Sequence, residues 1–469
     1  MSKTVANRSA ASAAMQAAAA KGRALMGGTA EMRKARERYL PRFGKESLTA
    51  YEARLHSSWL FNGYRKTVRD MTGRVFSKPI EIADAPSQIE EWAENIDLQG
   101  RDLSTFARDV FEDALAGPGI SFIMVDAPTR EGVVTRAQAQ AQNLRPYLIH
   151  LKAEEILGWK TATVANVTVL QQLRISEEYT EVDPLDEFAE VTKTQVRVLD
   201  RGAGVVTSRI FRKGVRDEWV EQPELAASYA MPEITVIPFY ANRTGFFTGQ
   251  PLLDDLADVN IAHWQSQSDQ RTILHYARVP ILFGAGVEAN SIGTIGASTA
   301  VVAADPNAKL QWVEHSGQAI AAGRNDLKDL EFQMETFGLQ LLTARPGAQS
   351  ATGEVLDANK ETSILAVTAD QLQDAIERAL VWMAEYGGLG DAGGSAVVNK
   401  DFGVTMMTAQ EIGVLLNAVN TGNMSRKTFL EEMARRGAIR ADIDIDAEFD
   451  RIDEEDVGGA PDPLDANAA

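Results

Sequence analysis

LLDDLADVNIAHWQSQSDQRTILHYAR, residues 252–278, is followed by a stretch that cannot be helical and then by a second helical pattern over 317–342. The first pattern starts behind Pro251, carries Asp254, Asp255 and Asp258 in its opening turns, and has His275 and Arg278 near its end. Acids at the start and bases at the end suit the helix macrodipole. Its centre, Gln265 to Arg271, is polar all round, which predicts a helix not packed along its whole length in the core of one chain. In the second pattern Ile320, Leu327, Met334 and Leu341 stand seven apart, with Leu330 and Phe337 as a companion row. That is a seam for another helix. Between the two, residues 279–315 (VPILFGAG, a Gly/Ser/Thr run, TAVVAADP and KLQWVEH) read as short strands and turns.

Outward from this helix–insert–helix core, two further organisations are legible. Upstream, helical spacing runs from about Lys45 to Phe76 and again through LSTFARDVFEDAL (103–115), with Phe106, Val110, Phe111 and Leu115 on one face. Gly117-Pro118-Gly119 ends that helix, and ISFIMVDAP follows as a short buried strand. Residues 166–240 are β-branched, partly alternating runs split by acidic or Gly/Pro breaks, the pattern of an antiparallel meander. Downstream, TARPGAQSATGE (343–354) has no periodicity and reads as a loop. A third long helix is predicted over 355–386, capped by Gly387-Gly388, and a short strand then leads to a helical pair within 408–440. The fold class expected is α+β, without a repeating βαβ unit.

Charge is segregated. Residues 1–78 hold 16 Lys and Arg against 5 Asp and Glu, whereas residues 441–469 hold 1 against 11, in a chain of net charge −19. Residues 1–44, basic and Ala-rich, read as a flexible arm able to dock on an acidic neighbour, such as another copy of the chain, and 441–469 reads as a disordered acidic tail. The arm lacks the continuous apolar core of a secretory signal. An acidic chain is not built to grip nucleic acid, since tight phosphate binding needs clustered bases. With no cysteine, disulfides and thiolate metal sites are excluded, which suits a reducing cytoplasm. No run approaches the ~18 apolar residues of a membrane span.

Candidate chemistry is sparse. Gly284, Gly286 and Ala289 after a strand, with Asp305 ending a second, mimic a dinucleotide fingerprint. The nine residues NSIGTIGAS between them are too short and glycine-broken for the helix that would hold the pyrophosphate. A nucleotide-binding enzyme using the Gly-rich 284–296 region is therefore the distant alternative. Asp254, Asp255 and Asp258 answer the helix dipole more readily than a metal, and His56, His150, His263, His275 and His315 lack ligand spacing. The seven tryptophans are dispersed, as core or interface anchors are.

The order of elements resembles the portal proteins of tailed bacteriophages. The phrases YRKTVRDMTGRVFSKP (64–79), RPYLIHLKAEEILGW (145–159), the run from Val236 to Gly286 and MTAQEIGVLLNAVNTG (407–422) look like segments of that family, over about Leu48 to Ile439. The resemblance implies a wing over 45–250, a first stem helix over 251–278, a clip over 279–315 and a second stem helix over 316–342. It further implies a tunnel loop over 343–354, a long helix and return to the wing over 355–407, and a crown over 408–440. The stem would pack through Ile320, Leu327, Leu330, Met334, Phe337 and Leu341. The clip would present Ile281, Phe283, Val301, Val302 and Trp312, and the channel would be lined by Arg345, Pro346, Gly347, Gln349, Ser350 and Thr352. It implies no catalysis and no cofactor, but a ring of typically twelve copies at one capsid vertex, assembled in the host cytoplasm. Its partners would be double-stranded DNA held loosely and without sequence preference, the large terminase subunit, a head–tail adaptor and the major capsid protein, with no membrane. Another minor head or scaffold protein is the remaining reading, which the stem–clip–stem order opposes.

Overall fold

In the computed structural model, residues 4–128, 142–183, 186–278, 281–286, 307–313, 318–340, 363–400, 402, 409–435, 438–439 and 443–457 are described. The chain divides into two units, residues 1–400 and 401–469. The first corrects the reading of residues 1–44 as a flexible arm. They form a 26-residue helix, α1 (Ala10–Ala35), capped by Ser9 and kinked at Gly28, whose φ of 74° only glycine adopts freely. Met15, Ala19, Gly22, Leu25, Gly28 and Met32 recur at three- and four-residue intervals and are buried. The small residues that looked like low complexity let the helix lie close against its neighbours. A Cβ at Gly22 would stand 2.2 Å from the Ala116 carbonyl oxygen and 2.6 Å from the Tyr64 hydroxyl. Gly→Ala inside a helix ordinarily stabilises by about 1 kcal/mol; Gly22→Ala is expected to destabilise instead, because a backbone oxygen cannot step aside. A raised midpoint of denaturation for that variant would disprove the close docking of α1.

The single helix expected over 45–76 is two, α2 (Leu48–Ser57) and α3 (Gly63–Val75), split by an irregular segment whose last residue, Asn62, caps α3 by accepting from the Arg65 amide. After β1 (Glu81–Ala83) and α4 (Ser87–Ala93) comes α5 (Leu103–Ala116), capped by Asp102. It packs on a three-stranded antiparallel sheet whose central strand, β2 (Ile120–Asp126), lies between β3 (Tyr147–Lys152) and β9 (Val236–Tyr240). All seven residues of β2 are buried, so both faces of the strand are covered.

The antiparallel meander is present, with different membership. β4 (Ile156–Val164), β5 (Val167–Asp183), β6 (Asp186–Arg201), β7 (Val206–Lys213) and β8 (Trp219–Tyr229) form a five-stranded sheet in sequence order. The ITVIPFY run leaves the meander and becomes β9 (Val236–Tyr240), at the edge of the smaller sheet. The acidic stretch around 177–190 is not a break. It continues as two long paired strands, because backbone pairing needs no apolar side chain. A short hairpin, β10 (Arg243–Gly245) and β11 (Thr248–Gly249), precedes α6 (Asp254–Ala277). Next are β12 (Ile281–Ala285), β13 (Lys309–Val313) and α7 (Gln318–Gln340). The third long helix, α8 (Ile364–Gly387), begins behind an extended Ser363 whose hydroxyl accepts from the Ala366 amide; residues 355–362 of the predicted helix lie outside the described residues. It packs on β9 and β2 and ends at a left-handed Gly388. β14 (Ser395–Val397) returns to pair with β1. The class is α+β.

In the second unit α9 (Ala409–Asn420) and α10 (Arg426–Arg435) form the expected helical pair. A third helix, α11 (Ile445–Val457), corrects the reading of 441–469 as wholly disordered. Its first-turn acids face the positive end of the helix, and Lys427 of α10 reaches Asp446 at 2.8 Å. Residues 458–469 lie outside the described residues.

Candidate functional site

The segment that decided the sequence reading builds a two-helix pillar. His263 faces Glu331 at 3.3 Å, the Ser266 hydroxyl donates to Asp326 at 2.5 Å, and the Gln270 amide donates to the Ile320 carbonyl at 2.9 Å. As one number climbs the other falls, so α6 and α7 run antiparallel, side by side. Between them β12 and β13 pair antiparallel, Ile281 opposite Val313 and Leu282 opposite Trp312. A dinucleotide fold requires parallel neighbours joined by a helix; the described neighbour of β12 is an antiparallel strand.

Much of the polar centre of α6, expected outside the core of one chain, is buried by this chain itself. Asn260, His263, Ser268, Gln267 and Gln270 are all buried within this chain. Their partners include backbone groups at the break between α2 and α3, the Ile320 carbonyl of α7, and the side chains of Ser58 and Glu331. Asn260 donates to the Phe61 carbonyl at 2.8 Å and accepts from the Tyr64 amide at 2.9 Å, and Gln265 donates to the Tyr39 carbonyl at 3.0 Å. The Ser58 hydroxyl donates to Ser268 at 2.9 Å. Buried amides and hydroxyls are tolerable once bonded, and the break between α2 and α3 provides the unpaired backbone groups. Burial, only partly opposed by Glu331, holds the His263 imidazole below its usual pKa.

On α7, Met334 is 3% exposed and lies against Gly63, while Ile320, Leu327, Leu330 and Phe337 are partly buried; Leu341 is outside the described residues. The heptad row is thus partly covered by the chain's own α6 and α3. The outer side of α7 is not, and Phe332 there is 70% exposed. A groove of about 560 Å³ runs between α3 and α7, lined by Phe61, Lys66, Met71, Phe332, Met334 and Glu335 among others. In the hairpin Phe283 is 50% exposed, and Ile281 and Trp312 occupy paired backbone positions; Val301 and Val302 lie outside the described residues. So do Arg345, Pro346, Gly347, Gln349, Ser350 and Thr352.

Asp254 and Asp258 are occupied by Lys21 of α1, at 2.8 and 2.7 Å. The acidic neighbour of the basic segment is therefore in the same chain. Sequence reading missed a second cluster where α1 meets α5 and the small sheet. Arg23 bridges Asp113 at 2.7 Å and Glu154 at 2.6 Å, and the Ser121 hydroxyl donates to Asp113 at 2.9 Å and lies 2.8 Å from His150 Nε2. Burial opposes ionisation of Asp113, but His150, Arg23 and Ser121 together hold its carboxyl below the usual carboxylate range. This is not a hydrolytic triad. One ring nitrogen faces both serine and carboxylate, whereas catalysis needs the carboxylate on the opposite nitrogen, and Ser121 is fully buried. The signal available was Asp113 at i+7 from Phe106 on an apolar helix face, a charge that must find a partner.

Residues 251–387, α6 through α8, match the model of a family described as a domain of unknown function (DUF4055). No curated protein matches the chain. Among solved structures, the chain is similar to one in the neck of an empty GTA particle computed with C6 symmetry. The two share 10% identity, the match covers 80% of this chain and 89% of that one, and the TM-score is 0.38. It is also similar to one in the neck of a native GTA particle computed with C12 symmetry, with 10% identity, 78% and 88% coverage and a TM-score of 0.39.

Proposed function

We propose that this chain is the portal subunit of a tailed phage or phage-like particle. It forms a ring, of twelve copies on the family pattern, around a channel at one capsid vertex through which DNA is packaged and ejected. The observation that carries the reading is the antiparallel pair α6 and α7 joined through the β12–β13 hairpin, a pillar with a small β cap. In this reading the pillar is the stem and the hairpin is the clip, where the large terminase subunit and later a head–tail adaptor dock. The wing meets the major capsid protein. A net charge of −19 suits a conduit that lets a polyanion slide, since binding strength would need released counterions.

Light scattering on the purified chain tests this directly. The expected mass is many times 51.0 kDa, with annular views by negative stain; a monomer at every concentration would end the proposal. Residues 343–354 are assigned to the channel. A variant lacking 344–352 is expected to assemble normally while its particles lose packaged DNA, and full DNA content would remove the assignment.

A further inference from the structure

The five-stranded sheet does not end where its neighbours end. β4 pairs with β5 no further than Ile175, and β7 meets β6 no nearer its start than Gln195. Beyond those points residues 177–183 and 186–194 pair only with each other, as a two-stranded ribbon. An isolated hairpin is marginal in water, and this one has little core. Its base is held by Lys193 to Glu181 at 2.7 Å and by the Arg212 guanidinium 3.8 Å from the Tyr179 ring. Nearer the tip, Val182 is 61% and Phe188 88% exposed. From Glu177 to Glu190 the sequence has seven carboxylates and no base. A phenylalanine standing in water among acids marks a surface whose partner is apolar at its centre and basic at its rim.

Such a surface exists on the same chain. Where the start of β5 meets β9 and α8, a groove of about 360 Å³ is lined by Val167, Ile234, Phe246 and Trp382, with Arg243 and Arg378 also on its wall. Both arginines lie over aromatic rings, Arg243 4.9 Å from the Tyr240 centroid and Arg378 4.7 Å from that of Trp382. Glu233 is on the same wall and pairs with Arg378 at 3.5 Å, so the two arginines leave the lining with a net positive charge. Val167, at the groove, is 60% exposed.

The chain's own ribbon cannot fill this groove. Val167 begins β5 and Val182 is near its end, which separates them by about 50 Å of extended strand. A ring, by contrast, requires a head-to-tail interface made of two different, complementary patches on each subunit. A projecting apolar–acidic finger and an apolar–basic groove at opposite ends of one hairpin meet that requirement. We propose that the ribbon tip, anchored by Phe188, seats in the β5–β9–α8 groove of the adjacent copy, so that each subunit gives one ribbon and receives one. This rests on the ring reading and names the contact that closes it.

The cysteine-free chain allows a direct test with the double variant Phe188→Cys, Val167→Cys, oxidised after assembly. A disulfide needs Cα atoms within about 7 Å, so the two positions cannot bridge within one chain. The expected result is a non-reducing ladder from dimer up to the full ring, absent from either single variant. Phe188→Asp should raise the concentration for half-assembly about tenfold or more with an unchanged circular dichroism spectrum, and Phe188→Leu should assemble like the parent. Rings of normal mass with no ladder, a ladder that stops at dimer, or normal assembly of Phe188→Asp would each overturn the ribbon–groove contact while leaving the ring intact. Absence of rings from the unmodified chain would remove the portal reading first, and this contact with it.

Discussion

Deletion of residues 1–44 is expected to leave a chain that does not fold. The segment supplies Met15, Leu25, Met32 and Leu40, each at most 3% exposed. Burial of each contributes roughly 1.5–3 kcal/mol, about 6–12 kcal/mol for the four, against total stabilities of about 5–15 kcal/mol for whole domains. The area coefficient gives an upper value because unfolded chains are already partly compact, yet even half of it, about 3–6 kcal/mol, is a large share of the margin before the lost ion pairs are counted. The deletion also strips Lys21 from Asp254 and Asp258, and Arg23 from Asp113 and Glu154. Far-UV circular dichroism and urea unfolding read the outcome. A soluble truncated protein that unfolds cooperatively at the parent's midpoint would mean that α1 is the dispensable arm its composition suggested. Leu25→Asp gives a finer version, since one buried unpaired charge at a fully buried position should reproduce much of the effect.

Arg23→Ala should lower stability by about 2–3 kcal/mol. Removing one partner of a buried ion pair typically costs about 3–5 kcal/mol, and the 30% exposure of the Arg23 side chain, against 5% for Asp113, lets water recover part of it. Asp113 would keep Ser121 and His150 but lose its cation. The pH dependence has a definite sign. Asp113 has a folded-state pKa below its unfolded value of about 3.9. Its contribution is therefore complete above that value and is lost as pH falls from there through the folded-state pKa. In Arg23→Ala the folded-state pKa rises, so less stability remains to be lost over that window. In Asp113→Asn the acid-dependent part at this site disappears. Denaturation midpoints between pH 6 and pH 2 measure this, and identical acid profiles for parent and Asp113→Asn would show that the cluster does not contribute.

The helix–hairpin–helix at the centre of the chain was legible because its signals are local. The acids at Asp254 and Asp255 in the first turn, the sevenfold spacing from Ile320 to Met334 and the glycine-broken stretch between them act over a few residues, and α6, β12, β13 and α7 follow them. The strand runs of the meander were likewise visible in their alternation, and the α+β class followed. The sequence determined these because backbone periodicity and capping are decided within a turn or a strand. Tertiary structure alone decided which polar residues are inside. Gln265, Ser268 and Gln270 look solvent-facing on a helical projection, and they bond to Tyr39, Ser58 and Ile320, residues 50 to 226 positions away. Residues 1–44 look like a tail, and they are core because Gly22 and Ala19 permit close packing and because Asp113, Glu154 and Asp254 wait opposite Arg23 and Lys21. A buried polar group is stable only with its partner in place, and partners so distant along the chain leave no periodic trace in either segment.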